Sequence, residues 1–332
     1  MNIDDFIGKL AEQFDDIKVS ALNPETKFRE LAGWCSIVAL SIIAMVDEEY
    51  EVTLSGEELK AAQTIHDLFN AVQAKKSAGL SGMPSAYNPF SLSGKTILVT
   101  GASSGIGRAT AIECSKLGAK VVITGRNVER LQETFEQLEG AGHRQIVAEM
   151  TSADDVAKLV EEAPSFSGVV LCAGRGMTLP LNFATRDKFD SIFDVNFFAP
   201  VELLRLLLKR KKVERSASIV LVSSVAGNWT FNPGNGVYGA SKAALNSTMK
   251  FLARELAPKK IRVNSVNPGM VNTAFIQGGA ISEEQRKLDM DRYPLKRYGE
   301  PVDIARGIVY LLSDASSWVT GHSLVIDGGV TI

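Results

Sequence analysis

Two hydrophobic rhythms divide the chain. Over the first 76 residues apolar side chains recur at helical spacing, with Ile3, Phe6, Ile7, Leu10 and Phe14 on one face of a first helix. Asn23-Pro24 marks a turn, and Ser36 to Tyr50 reads as a second helix. Ser55 stands three residues before Glu58, the spacing of a capping box that opens a short third helix. Thr64 precedes a fourth, which carries Ile65, Leu68, Phe69 and Val72. From Gly94 the rhythm changes to short β-branched runs separated by helical stretches: KTILVT (95–100), KVVIT (120–124), RQIVAE (144–149), GVVLCA (168–173), SIVLVSS (218–224), IRVNSVN (261–267) and SLVID (323–327). Strands this apolar belong to a parallel sheet with helices on both faces. The pattern therefore predicts an α/β domain over 94–332, built on a doubly wound seven-stranded parallel sheet. A small all-α four-helix domain over 1–76 precedes it. Residues 77–93, SAGLSGMPSAYNPFSLS, have no period and read as a flexible linker spanning roughly 20–25 Å.

Composition narrows the setting. No apolar run approaches the roughly 18 residues of a membrane span. The first residues, MNIDDFIG, are acidic, unlike a secretory or transit segment, so a cytoplasmic protein is expected. Cys35, Cys114 and Cys172 are odd in number and far apart, which points to reduced thiols. No His/Cys spacing suits a metal, and no basic stripe with interleaved aromatics suits nucleic acid. Charge is uneven: residues 1–76 hold 14 Asp+Glu against 7 Lys+Arg, while the whole chain nets only −2. An acidic head therefore precedes a mildly basic body, and the two can attract each other.

The first strand of the body runs into TGASSGIG (100–107). Gly101, Gly105 and Gly107 would let the backbone turn tightly and approach a pyrophosphate. Ser103, Ser104 and Ile106 fill the loop, and the next helix opens its free N–H groups to the phosphates. A glycine pattern alone is weak; following a strand and opening a helix, it reads as a Rossmann-like dinucleotide site. The second strand ends in TGRN, with Arg126 where an NAD site would place an acid. An arginine suits a 2′-phosphate, so NADP(H) is the expected cofactor. Tyr238 and Lys242, in YGASK, are one helical turn apart, and a neighbouring ammonium favours a phenolate. Ser224 ends the fifth strand, at the edge where a parallel sheet delivers side chains to a crevice.

Together with CAG at 172–174, DVNFF around Asn196, NPGMVNT at 267–273 and the long run 299–329, these residues resemble the short-chain dehydrogenase/reductase family, its 3-oxoacyl-carrier-protein reductase branch in particular. The resemblance covers residues 92–332 and implies a role for each position. Ser224 bonds the substrate carbonyl, Tyr238 donates the proton, Lys242 holds the nicotinamide ribose, and Asn196 supports a proton relay. Ala173 and Gly174 approach the adenosine ribose. Pro268, Gly269, Val271 and Thr273 border the nicotinamide, and the acid expected after the third strand, near the adenine, is Glu149 or is displaced by Met150. A homo-oligomer, tetramer or dimer, is implied. The sequence departs from the family in reading Leu171-Cys172-Ala173-Gly174 where Asn-Asn-Ala-Gly is usual, and in placing Ser224 fourteen rather than thirteen residues before Tyr238. The segment between Phe275 and Pro301 is expected to lid the substrate site.

The head, over 28–69, resembles an acyl carrier protein. In that family a serine inside an Asp-Ser-Leu triplet opens the second helix and carries a 4′-phosphopantetheine arm. Here the triplet is Cys35-Ser36-Ile37, so the serine is kept and the aspartate is not. Two readings stay open. Ser36 anchors the arm, with a phosphopantetheinyl transferase and an acyl synthase or ketosynthase as partners, and the body reduces 3-oxoacyl thioesters to 3-hydroxyacyl ones in fatty-acid or polyketide-type biosynthesis. Alternatively Ser36 is only a helix cap, the head is an unmodified docking module, and the body acts on a free carbonyl or alcohol.

Overall fold

A computed structural model describes residues 2–14, 17–50, 52–81, 88–273 and 283–332. The chain divides into two compact units, Met1–Asn88 and Pro89–Ile332.

The first unit is helical. Helix α1 (Ile3–Ala11) is capped by the Asn2 side chain, and α2 spans Ser36–Tyr50. Helix α3 (Gly56–Ala61) starts at the Ser55/Glu58 capping box that the spacing predicted. The last helix, α4, runs Ile65–Ser81, so the first residues of the expected linker continue a helix. Serine and glycine lower helical propensity by less than about 1 kcal/mol each, too little to end a helix already nucleated by a packed apolar face. The remainder of that linker up to 87 lies outside the described residues. Phe6, Leu10, Phe28, Ile42, Val46, Ile65, Leu68 and Val72 are fully buried in one core. Each such side chain contributes about 1.5–3 kcal/mol.

The second unit is a seven-stranded parallel sheet in the order β3-β2-β1-β4-β5-β6-β7. Its strands are β1 (Thr96–Thr100), β2 (Lys120–Gly125), β3 (Arg144–Val147), β4 (Phe166–Leu171), β5 (Val213–Val222), β6 (Arg262–Pro268) and β7 (Ser323–Ile326). All seven predicted strands are present, with ends displaced by no more than five residues. The helices are α5 (Gly105–Lys116), α6 (Val128–Phe135), α7 (Ala153–Glu162), α8 (Arg186–Phe193), α9 (Ala199–Lys209), α10 (Gly236–Leu256), α11 (Glu283–Met290) and α12 (Pro301–Leu312). Side chains alternate between two cores, as a strand's period of two requires. Leu98 of β1 packs with α7, α9 and α10, whereas Ile97 and Val99 pack with α5 and α12. Strand order reverses between β1 and β4, which pair through Ile97–Gly168 and Val99–Val170. Past their carboxyl ends the connections diverge and leave a crevice. Among the described residues no helix is long and apolar enough to cross a membrane.

Candidate active site

The crevice is built around Thr100, the last residue of β1. Its buried Oγ1 accepts from the amides of Cys172 and Ala173, at 2.9 and 3.1 Å. This hydroxyl locks the start of the β4 loop against the glycine turn, without the asparagine that the Leu171-Cys172 departure removes. Gly101 follows at φ +64, and a Cβ on it would lie 2.9 Å from the Ala173 backbone, so the close approach requires glycine. At Gly107 a Cβ would collide with the Gly101 carbonyl. That contact packs α5 against the turn and aims the helix start at the crevice. At Gly105 (φ +52) a Cβ would meet the Thr273 methyl at 3.0 Å, so Thr273 closes the far side of the loop. Ser104 caps α5 by position, with no side-chain cap bond.

The loop's carbonyls are taken up from behind by two residues that the sequence reading did not single out. Arg108 donates to Ser103 O at 2.9 Å, and also to Arg130 O, to Thr134 Oγ1 and to Glu133. Thr134 Oγ1 donates to Ala102 O at 2.9 Å. With acceptors satisfied on that side, the donors of the α5 start are left for an anion, as a pyrophosphate site needs. Arg108 lies one residue beyond the glycine motif, and that adjacency was its only signal.

The expected catalytic residues come together on the other lip. Ser224 lies two residues past the end of β5, is buried, and its Oγ accepts from Ala226 N at 3.1 Å. Beyond it the loop folds back on Val225, whose carbonyl accepts from the amides of Asn228, Trp229 and Thr230. Gly227 (φ +91) presses on Gly239 of α10, which draws Ser224 toward the helix bearing Tyr238. The Ser224 hydroxyl sits close enough to Tyr238 to stabilise its phenolate. Lys242 is buried, 4% exposed, with Nζ donating to Val222 O at 2.8 Å and lying 6.0 Å from the Tyr238 ring centre.

Burial sets the titration of these groups. Taking the ammonium out of water pulls Lys242 down to about 8. Burial pushes the Tyr238 phenol up, opposed by the Ser224 hydroxyl. The Cys172 thiol is pushed up to about 12, despite the nearby Lys242. At neutral pH the crevice thus holds a protonated phenol, a protonated amine and a thiol.

Asn196 is fully buried in a π-helical turn, Asp194–Phe198, between α8 and α9. Its Oδ1 accepts from Arg175 N at 2.7 Å, and its Nδ2 donates to Arg175 O at 2.9 Å and to Ser241 Oγ at 3.1 Å. Ser241 in turn donates to Tyr238 O at 2.7 Å. Gly174 sits where a Cβ would be 3.4 Å from both Asn196 Oδ1 and Lys242 Nζ, so this loop passes directly over the lysine. Val225 N donates to Pro268 O, and a Cβ at Gly269 would strike Asp327, so the 268–273 segment is held near Ser224. Arg126 extends from the end of β2, largely exposed, and pairs with Glu149 at 3.2 Å. The centre of the expected lid, residues 274–282 with Phe275 and Ile276, lies outside the described residues. Its continuation α11 is described, and Leu288 there is exposed.

Comparison with known proteins agrees with this geometry. Residues 101–331 match a family model described as Enoyl-(Acyl carrier protein) reductase. The 3-oxoacyl-[acyl-carrier-protein] reductase FabG of Rickettsia felis is 35% identical over 240 residues, 72% of this chain and 98% of that protein. FabG of Thermotoga maritima is 35% identical over 247 residues, 73% of this chain and 99% of that protein. Among solved structures, a dehydrogenase/reductase from Sinorhizobium meliloti 1021 aligns with a TM-score of 0.68 and 35% identity, over 74% of this chain and 98% of its own. A dehydrogenase from Beutenbergia cavernae with NADP bound at low occupancy aligns with a TM-score of 0.67 and 31% identity, over 73% and 99%. With a match running across nearly the whole of its larger unit, the chain belongs to the short-chain dehydrogenase/reductase family of oxidoreductases.

Proposed function

We propose that the protein reduces a 3-oxoacyl thioester to the 3-hydroxyacyl form with NADPH. The observation that carries this reading is its 35% identity to two 3-oxoacyl-[acyl-carrier-protein] reductases along almost their full length. The crevice fits a dinucleotide: the Gly101 and Gly107 approaches leave room only for backbone, and Arg108 and Thr134 turn the loop's donors outward. Arg126 offers a guanidinium for a 2′-phosphate. When bound, NADPH supplies the hydride that the substrate carbonyl carbon takes up.

The chain's own residues handle the proton. Ser224 and Tyr238 present two hydroxyls to the carbonyl oxygen, and Tyr238 gives its proton to the alkoxide as it forms. The Lys242 ammonium stabilises the phenolate left behind. Val222 O holds it at a fixed distance from the ring. Asn196 pins the Arg175 backbone above the lysine and keeps that loop from drifting into the crevice.

The acyl group is carried in this reading on a 4′-phosphopantetheine arm at Ser36. Cys35, not Ser36, occupies the cap position of α2: its carbonyl accepts from Ala39 N, and Ser36 is the first helical residue. Ser36 is exposed, and among the described residues its hydroxyl makes no hydrogen bond, which suits an attachment point better than a cap. Tethering raises the local carrier concentration to about millimolar. A phosphopantetheinyl transferase and a ketosynthase are the partners this requires, in a homo-oligomer.

The test has two arms. Turnover of a 3-oxoacyl thioester is measured with NADPH and with NADH; no reduction with either sinks the substrate reading. Intact mass is measured after incubation with a phosphopantetheinyl transferase and coenzyme A. An added arm that disappears in Ser36→Ala supports the carrier. An unmodified wild-type chain would make the head a docking module and the substrate a free carbonyl compound.

A further inference from the structure

We propose that Glu149 is a specificity-determining residue, whose carboxylate competes with the cofactor's 2′-phosphate for Arg126 and so restrains the preference for NADP(H) over NAD(H). The inference rests on the reading of Arg126 as the 2′-phosphate ligand.

The arrangement is built by the fold. Ala148 N donates to Gly125 O at 3.1 Å, which sets the residue after β3 beside the end of β2. Glu149 comes next, and Arg126 follows Gly125. The Glu149 backbone is fixed by its amide, which donates to Asp155 Oδ2 at 2.8 Å. Thr151 then holds one carboxylate oxygen, Oε1, through Oγ1 at 3.2 Å and N at 3.4 Å. The other oxygen, Oε2, faces Arg126 Nη1 at 3.2 Å. Arg126 is 78% exposed and Glu149 37%, and only the acid is also held by a second side chain, Thr151. Ser103 Oγ lies beside Gly125, the residue before Arg126, where a Cβ would approach it to 3.3 Å.

The carboxylate acts differently on the two cofactors. A 2′-phosphate carries nearly two negative charges and needs the guanidinium. It must either displace Glu149 or sit beside it on the remaining N–H groups of Arg126, and like charges oppose it in both cases. A ribose 2′-hydroxyl meets no such cost and can donate to the same carboxylate, as acids do in NAD sites. One surface pair therefore offsets part of what Arg126 contributes to phosphate recognition, and the gain on removing it is modest because solvent screens both groups.

Affinities of the full-length protein for NADPH and NADH, read by nicotinamide fluorescence, test this in wild type, Glu149→Gln, Arg126→Met and the double variant. Glu149→Gln should tighten NADPH about threefold to fivefold, leave NADH equal or weaker, and lose its effect when Arg126 is Met. Raising salt should shrink the gain. If Arg126→Met weakens NADPH but Glu149→Gln leaves the NADPH/NADH ratio unchanged or lowers it, the competition is refuted and the cofactor reading stands. If Arg126→Met changes neither affinity, the cofactor reading fails and takes the inference with it. Thermal melts at or near the wild-type value show that the variants are folded.

Discussion

Replacing Lys242 with methionine should change how stability depends on pH. In the native protein burial brings the Lys242 ammonium down to about 8, and the group is 4% exposed, so solvent screening discounts little of this. In the unfolded chain the same lysine keeps its proton to about pH 10.4. Between those values the unfolded state binds more protons, so raising the pH favours the native state. Integrated from pH 7 to pH 10, the difference in unfolding free energy between wild type and Lys242→Met should grow in favour of wild type by about 2.5 kcal/mol. Burial pushes Tyr238 up and Cys172 up to about 12, which moves both away from this window, and their unfolded-state titration is common to both proteins. Urea unfolding at half-unit steps, for both proteins, measures the difference. A difference that stays flat or moves the other way would refute the claim that this amine is desolvated. The same titration removes the cation that supports the phenolate, so reduction by wild type should decline above about pH 8.

Other variants probe single contacts. Tyr238→Phe keeps the ring and removes the proton donor, so reduction should fall by about 10²–10⁴-fold with cofactor affinity little changed; a variant as active as wild type would exclude Tyr238 as the acid. Gly101→Ala places a Cβ 2.9 Å from the Ala173 backbone at φ +64, and should cost about 2–5 kcal/mol in urea unfolding while weakening dinucleotide binding. Thr100→Val leaves the Cys172 and Ala173 amides unpaired and should cost about 2–5 kcal/mol despite equal volume; a loss under 1 kcal/mol would mean the loop finds other acceptors. Asn196→Ala frees the Arg175 backbone above Lys242, and should lower kcat more than it raises KM.

The sequence by itself determined the elements and the chemical cast. The central strands β1, β2 and β4 were legible because a strand buried on both faces carries a continuous apolar run, whereas the edge strands β3 and β7 are only partly buried and were read from their β-branched residues and spacing. The placement of Gly101, Gly107, Tyr238 and Lys242 was legible because it rests on short spacings, a turn or one helical repeat, that the chain carries in its own order. The linker was misjudged at its start because composition registers propensity, whereas α4 is held by packing of Ile65, Leu68 and Val72 against distant residues. Only the tertiary structure decided what those groups face. Lys242 reaches Val222 O, Thr100 bridges to Cys172, Arg108 holds the carbonyl of Ser103 from behind, and Arg126 meets Glu149. Most of these contacts join residues twenty or more positions apart, and the Arg108 network closes through α6. Desolvation at Lys242 likewise depends on which loops cover it, a property of the folded volume that no local pattern in the chain encodes.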